Sequence, residues 1–284
     1  MRIRLIPIGL VIGVWFCGII EQLHADSPIR AGDRVAIIGN TFADQLRIHG
    51  YLETLLLQHW PENPPSIRNL GWGGDMLTAR DRPTNFPTEE STLREHRTDV
   101  IVACFGMGES FSGEEGLASF RNDVDALIRS HAGKTYNGES TVRLILVSPI
   151  AYEDLGDLTP KHGQRNGQLE SYSRVMGEVA ARAGVPFADL YQPSRYLMDE
   201  PSGPNLTTNG IHLNGFGYWA ISQVLYRDLV AGDGDSNLRP WHVFVDAKAK
   251  TVKARGVQSS ELTADGIGLV FNVTEKTGPT LPPP

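Results

Sequence analysis

Five short apolar runs recur between residues 33 and 230: Arg34 to Ile38, Ser66 to Leu70, Asp99 to Phe105, Val142 to Val147 and Val185 to Leu190. They are rich in Val and Ile, and several are continuous rather than alternating, the pattern of strands buried on both faces of a parallel sheet. Between them lie segments of helical length: Phe42–Trp60, Glu114–His131, Gln164–Ala183 and Asn214–Leu229. Leu117, Phe120, Val124, Leu127 and Ile128 follow one helical face. Strands alternating with helices predict a three-layer α/β/α fold with a flavodoxin-like parallel five-stranded sheet in the order 2-1-3-4-5.

After Gly232 the period changes. Trp241 to Val245, Thr251 to Ala254 and Leu269 to Val273 alternate apolar and polar residues across Asp- and Gly-bearing turns, which predicts a small antiparallel β appendage over residues 240–284. So short a unit buries little surface alone and is expected to pack on the main domain, 33–230. The chain stops at Leu-Pro-Pro-Pro284, so a longer parent chain is one reading of that end.

The first 25 residues stand apart. Two arginines precede an apolar run, Leu5 to Ile20, and a polar stretch ending at Ala25. That is the layout of a secretory signal peptide. The run is shorter than the roughly 20 residues of a spanning helix and carries Pro7, Gly9, Gly13 and Gly18, so the expectation is export to a periplasmic, secreted or cell-surface location, without stable membrane insertion after cleavage. Removing Cys17 would leave Cys104 alone, with no disulfide and no cysteine-based metal site. Within its apolar run Cys104 reads as a small core residue.

A formal net charge of −7 over 284 residues, with no basic run, excludes the field that gathers phosphates. Nucleic acid is not an expected partner. His49, His59, His96, His131, His162 and His242 are scattered without metal-ligand spacing, so no metal and no cofactor is expected.

In an open parallel sheet, ligands gather at the carboxyl ends of the strands. There the sequence places Gly39-Asn40-Thr41, then Gly71-Trp72-Gly73-Gly74-Asp75, then Gly106-Met107-Gly108-Glu109-Ser110, and Thr208-Asn209-Gly210-Ile211-His212 before the last helix. Glycines let backbone N–H groups approach a ligand, while Thr, Asn and His offer hydroxyl, amide and imidazole. Such a set can bind an oxyanion. Asp44, Asp75 and Glu109 are carboxylates close to these blocks that could orient His212 or act as a base, though each reads more simply as a helix cap or a solvated loop charge. Ser110 and Ser112 are spare hydroxyls, and Trp72 offers a ring for a sugar or acyl group.

The ordered blocks resemble the SGNH or GDSL-type hydrolases, a family of esterases and lipases, across residues 33–230. The resemblance implies that Gly39-Asn40-Thr41 occupies the place of Gly-Asp-Ser, and that Gly74, in Asn69 to Asp75, is an oxyanion donor. It also implies that Gly108 stands for the oxyanion asparagine and Asn209 to His212 for the Asp-x-x-His block. Thr41 thus replaces the serine nucleophile, Gly108 an asparagine and Asn209 the orienting aspartate; Gly74 and His212 match outright. A threonine carries a β-methyl that restricts χ1, and an asparagine cannot stabilise imidazolium by charge. An Asp-to-Asn change of that kind costs about 10⁴ in a serine protease.

Two functions follow as expectations. One is an exported hydrolase of acetyl or short acyl esters on a small molecule or glycan, with Thr41 as nucleophile, His212 as base, Asn209 behind it, and Gly74, Gly108, Asn40 and Trp72 around the substrate. The alternative is a catalytically degenerate module of the same fold that binds carbohydrate or a protein partner.

Overall fold

The apolar runs pair side by side. β1 (Arg34–Gly39), β2 (Ser66–Asn69), β3 (Val100–Cys104), β4 (Arg143–Val147) and β5 (Phe187–Ala188) form one parallel sheet in the order β2-β1-β3-β4-β5. This is a computed structural model, and it describes residues 27–159, 163–200 and 203–230, the strand segments between 242 and 274, and the last two residues. The expected signal peptide and the packing of the appendage lie outside the described residues.

Successive strand residues face opposite ways, and that sorts the core into two layers. Val35 and Ile37 pack with Leu46, Leu55, Ile221 and Leu225 from α1 (Thr41–His49), α2 (Tyr51–His59) and α7 (Gly215–Leu229). Ala36 and Ile38 pack with Leu93, Phe120, Val124 and Val179 from α3 (Glu89–Glu95), α4 (Leu117–His131) and α5 (Gly163–Ala183).

The helix expected over Phe42–Trp60 is two helices. Gly50 takes φ +66, closing α1 through its N–H to the Leu46 carbonyl at 2.9 Å, and α2 starts at the next residue. The first residues of Glu114–His131 form a 3₁₀ turn before α4. The fifth strand is shorter than Val185–Leu190 because Asp189 turns the chain, accepting from Ser148, Ser173 and the Tyr191 N–H. There α6 (Tyr191–Met198) starts, with Pro193 in its first turn, where a missing N–H costs nothing. Neither α6 nor α3, capped by Thr88 on the Ser91 N–H, was expected from the apolar pattern.

The C-terminal strands pair antiparallel as the alternation predicts: β6 (His242–Asp246) with β7 (Thr251–Arg255), β8 (Gln258–Ser259) with β11 (Val273–Thr274), and β9 (Thr263–Ala264) with β10 (Leu269–Val270). The single run Leu269 to Val273 is split between β10 and β11, which have different partners.

The amino ends of the strands are tied by charge. Asp99 accepts from the Arg34 N–H, Nε and Nη2 at 2.8, 2.8 and 3.0 Å and from Asn137 Nδ2 at 2.6 Å. Burial alone would raise its pKa, but these bonds outweigh burial and hold it at about 2, below the ordinary 3.8. The folded value is the lower one, so the carboxylate contributes stability at pH above about 4 and loses it as pH falls through about 2. Thermal melts over that window should fall more steeply for the natural chain than for Asp99→Asn; parallel slopes would contradict the assignment.

Candidate active site

At its carboxyl end β1 lies tight against its neighbour β3, Gly39 in register with Cys104. Gly39 has φ +135, and a Cβ there would lie 2.1 Å from the Cys104 carbonyl oxygen, so only glycine fits. Asn40 then caps α1, its Oδ1 accepting the Phe42 N–H at 3.0 Å. The cap sets Thr41 at the first helical position, where its side chain enters a cleft of about 160 Å³ at the carboxyl edge of the sheet. Asn40, Thr41, Gly74, Gly108 and His212 all line this cleft, although up to 172 residues separate them in sequence.

Within it, Thr41 Oγ1 accepts the Gly74 N–H at 3.2 Å. The Gly108 N–H finds no acceptor among the described residues. No hydrogen bond joins Thr41 to His212 among the described residues. Phe111, Met107, Pro149 and Ile211 give the cleft apolar walls. A Cβ on Gly108 would meet Met76 Cγ at 2.8 Å, so Met76 fills the space into which an asparagine side chain would have grown.

Asn209 stands behind His212. Its Oδ1 accepts the N–H groups of His212 at 2.9 Å and Ile211 at 3.3 Å, which fixes the amide with Nδ2 towards the ring, 2.9 Å from Nδ1. Nδ2 can only donate. Neutral His212 therefore accepts at Nδ1 and carries its proton on Nε2, the reverse of the tautomer that takes a proton from a nucleophile.

The other carboxylates have separate duties. Asp75 is buried and accepts from both Arg82 Nη groups, at 2.6 and 2.7 Å. Asp44 bonds Arg47 and Gln45. Glu109 accepts the N–H groups of Leu77 at 2.8 Å and Gly106 at 2.9 Å; burial pushes its pKa up against them, and it clamps two cleft loops together. None is bonded to His212. Ser110 is fully buried and donates to the Met107 carbonyl, which excludes it as a nucleophile. Burial pushes the Cys104 thiol up, in keeping with a core role.

Trp72 does not line the cleft; its place is in a larger neighbouring groove of about 810 Å³ along the open edge of β2. Its ring, 41% exposed, meets Phe86, 44% exposed, edge to face at 5.4 Å, and the Arg82 guanidinium lies 4.8 Å over it. The Arg82–Asp75 pair links groove to cleft, since Asp75 lines the latter.

Two residues behind the cleft escape sequence reading. Glu153, buried beyond β4, accepts the N–H groups of Leu206 and Thr207 and the Thr207 hydroxyl, and so holds the loop carrying His212. Its signal in the sequence is its place shortly after the fourth apolar run, at the carboxyl edge of the sheet. Arg165, on α5, donates to the Met107 carbonyl and Ser110 Oγ. No local motif marks it.

Comparison with known proteins decides the family. A sequence profile of the GDSL-like lipase/acylhydrolase family matches residues 32–220. The chain belongs to that family. Its membership supports an ester hydrolase, and the parallel sheet in the order 2-1-3-4-5 is the fold of its structural neighbours. None of the curated proteins compared with the sequence matches it. Among solved structures, a gut microbial diltiazem-metabolizing enzyme is similar at TM-score 0.55 and 18% identity, over 88% of this chain and 58% of that one. The GDSL-like chain thus spans little more than half the length of that relative. An acetylxylan esterase from Geobacillus stearothermophilus is similar at TM-score 0.55 and 18% identity, over 71% of this chain and 96% of that one. An alpha/beta hydrolase enzyme from the metagenome of Lake Arreo follows at TM-score 0.52 and 18% identity, over 73% and 98%. Among the described residues, no helix is long and apolar enough to cross a membrane, and no group of three or more His, Cys, Asp or Glu is placed to hold a metal ion.

Proposed function

We propose that this chain is an exported hydrolase of acetyl or short acyl esters carried on a carbohydrate, with Thr41 as nucleophile and His212 as base. The observation that carries the reading is the shared cleft, in which a hydroxyl, an imidazole and backbone N–H groups from distant blocks face one small space. Thr41 oxygen adds to the carbonyl carbon while its proton passes to His212, and the carbonyl oxygen takes the negative charge towards Gly74 and Gly108. The alcohol then leaves with that proton, and water repeats the sequence on the acyl-threonine. At about 160 Å³ the cleft suits an acetyl or slightly larger acyl group.

The alcohol portion lies in the groove beside it. There Trp72 and Phe86 offer faces for a sugar ring, while Arg80, Arg82 and Glu89 offer donors and an acceptor to hydroxyls, the charge of Arg82 being balanced by Asp75 and that of Arg80 by Glu89. The likeness to an acetylxylan esterase fits this substrate class.

One observation favours the second reading, a binding module: the Asn209 amide places the His212 proton on Nε2. Acting as base then requires the less favourable tautomer, so turnover on this reading is slow. A screen of 4-nitrophenyl acetate and acetylated oligosaccharides separates the two. The hydrolase reading expects activity that falls at least ~10²-fold in both Thr41→Ala and His212→Ala. Saturable oligosaccharide binding, weakened by Trp72→Ala, with no turnover, is the outcome of the binding reading.

A further inference from the structure

We infer that Arg165 strengthens the oxyanion site through the Met107–Gly108 peptide, replacing from behind the stabilisation that a side chain at 108 would give from the front. The inference rests on the hydrolase reading and names a positioning residue for it.

Arg165 Nη2 donates to the Met107 carbonyl at 3.1 Å and to Ser110 Oγ at 2.8 Å, and Ser110 Oγ donates to the same carbonyl at 2.6 Å. That carbonyl and the Gly108 N–H are the two ends of one trans peptide, so the N–H points away from Arg165. Two donors on the oxygen, one of them charged, draw electron density from the nitrogen end and make its N–H a better donor, as in any polarised hydrogen-bond chain. Gly108 lines the cleft, and its N–H is without an acceptor among the described residues.

The cation is placed at a cost. Arg165 has no carboxylate within ion-pair distance among the described residues, and its Nε is buried without a partner. Burial lowers its pKa, the direction for a guanidinium short of counter-charge. One face lies 3.7 Å over Phe111, a cleft wall that is 65% exposed. A charge so held is expensive unless it serves the site. Its field does so, because the oxyanion is the negative charge that turnover creates in the cleft, on the side of Gly108.

The experiment uses the full chain labelled with ¹⁵N-glycine, comparing the natural protein, Arg165→Met, Arg165→Lys and Ser110→Ala. The Gly108 amide proton should move upfield in Arg165→Met, and acetate, a stand-in for the oxyanion, should bind at least ~10-fold more weakly. On 4-nitrophenyl acetate kcat should fall by a similar factor with KM unchanged. Arg165→Lys should recover part of each effect, and Ser110→Ala should show the same changes in smaller measure, so the inference stays open to test if the methionine variant fails to fold. An unmoved Gly108 signal with unaltered acetate affinity overturns it, as does a loss that comes with shifts throughout the domain and no recovery by lysine. If the natural chain hydrolyses no ester but acetate shifts Gly108 in an Arg165-dependent way, the hydrolase reading fails and this inference stands. Turnover undiminished in Arg165→Met has the opposite meaning.

Discussion

Replacing Thr41 by serine and Asn209 by aspartate together is expected to raise kcat/KM on acetyl esters by at least ~10²-fold, more than either change alone. The two act on different obstacles. Serine removes the β-methyl that restricts χ1 at the nucleophile. An aspartate at 209 keeps one oxygen on the N–H groups of Ile211 and His212 and puts the other where Nδ2 now lies, 2.9 Å from Nδ1. A donor there becomes an acceptor, the ring proton moves to Nδ1, and Nε2 is freed to receive the proton of the nucleophile. The carboxylate also stabilises the imidazolium that forms. Steady-state rates of both single variants and the double variant check this, with thermal melts as the control for folding. A folded double variant with no gain on any ester would favour the binding reading. Adding Gly108→Asn should give nothing unless Met76 is trimmed with it, since that side chain occupies the space.

Removing the Glu153 carboxylate should loosen the loop that carries His212. Three donors converge on the carboxylate, and all are buried: the N–H groups of Leu206 and Thr207 and the Thr207 hydroxyl. Thr207 Oγ1 in turn accepts the Gly210 N–H, so the carboxylate anchors the turn that presents Asn209 and His212. Glu153→Ala leaves these donors without partners at about 1–3 kcal/mol each. A loss of at least ~3 kcal/mol, or about 6–12 °C in Tm, is expected. Activity should fall by up to ~10²-fold, because a shift of about 1 Å at His212 spoils its line to the cleft. Glu153→Gln, which keeps one acceptor, should fall between. Full stability and full activity in Glu153→Ala would show that the loop is held some other way.

Legibility in the sequence followed the range of the forces involved. The sheet was readable because burial on both faces makes runs such as Val100 to Cys104 continuous, and the helices because one face alone packs. Breaks set by single residues were harder. Gly50 reads as one glycine in an amphipathic stretch, yet its left-handed φ divides α1 from α2. α6 carries a proline that reads as a breaker until its first-turn position is known. At the site, Thr41 and His212 could be found because glycine-rich blocks follow strands. The direction of the Asn209 amide could not, since it depends on two backbone N–H groups in three dimensions. Arg165 lies 58 residues from Met107, and nothing local marks it. Asp75 and Glu109 stood beside the motifs, but their partners, Arg82 and the Leu77 and Gly106 N–H groups, became visible only in the folded chain.

On the hydrolase reading, Thr41 takes the acyl group. Rapid quenching of the natural chain with 4-nitrophenyl acetate, followed by proteolysis and mass spectrometry of the peptides, tests it most directly. One acetyl group is expected, on the threonine of the Gly39-Asn40-Thr41 peptide, absent from Thr41→Ala and much reduced in His212→Ala. Turnover at the natural rate with that peptide unmodified, or an acetyl group that persists elsewhere in Thr41→Ala with undiminished activity, would contradict it.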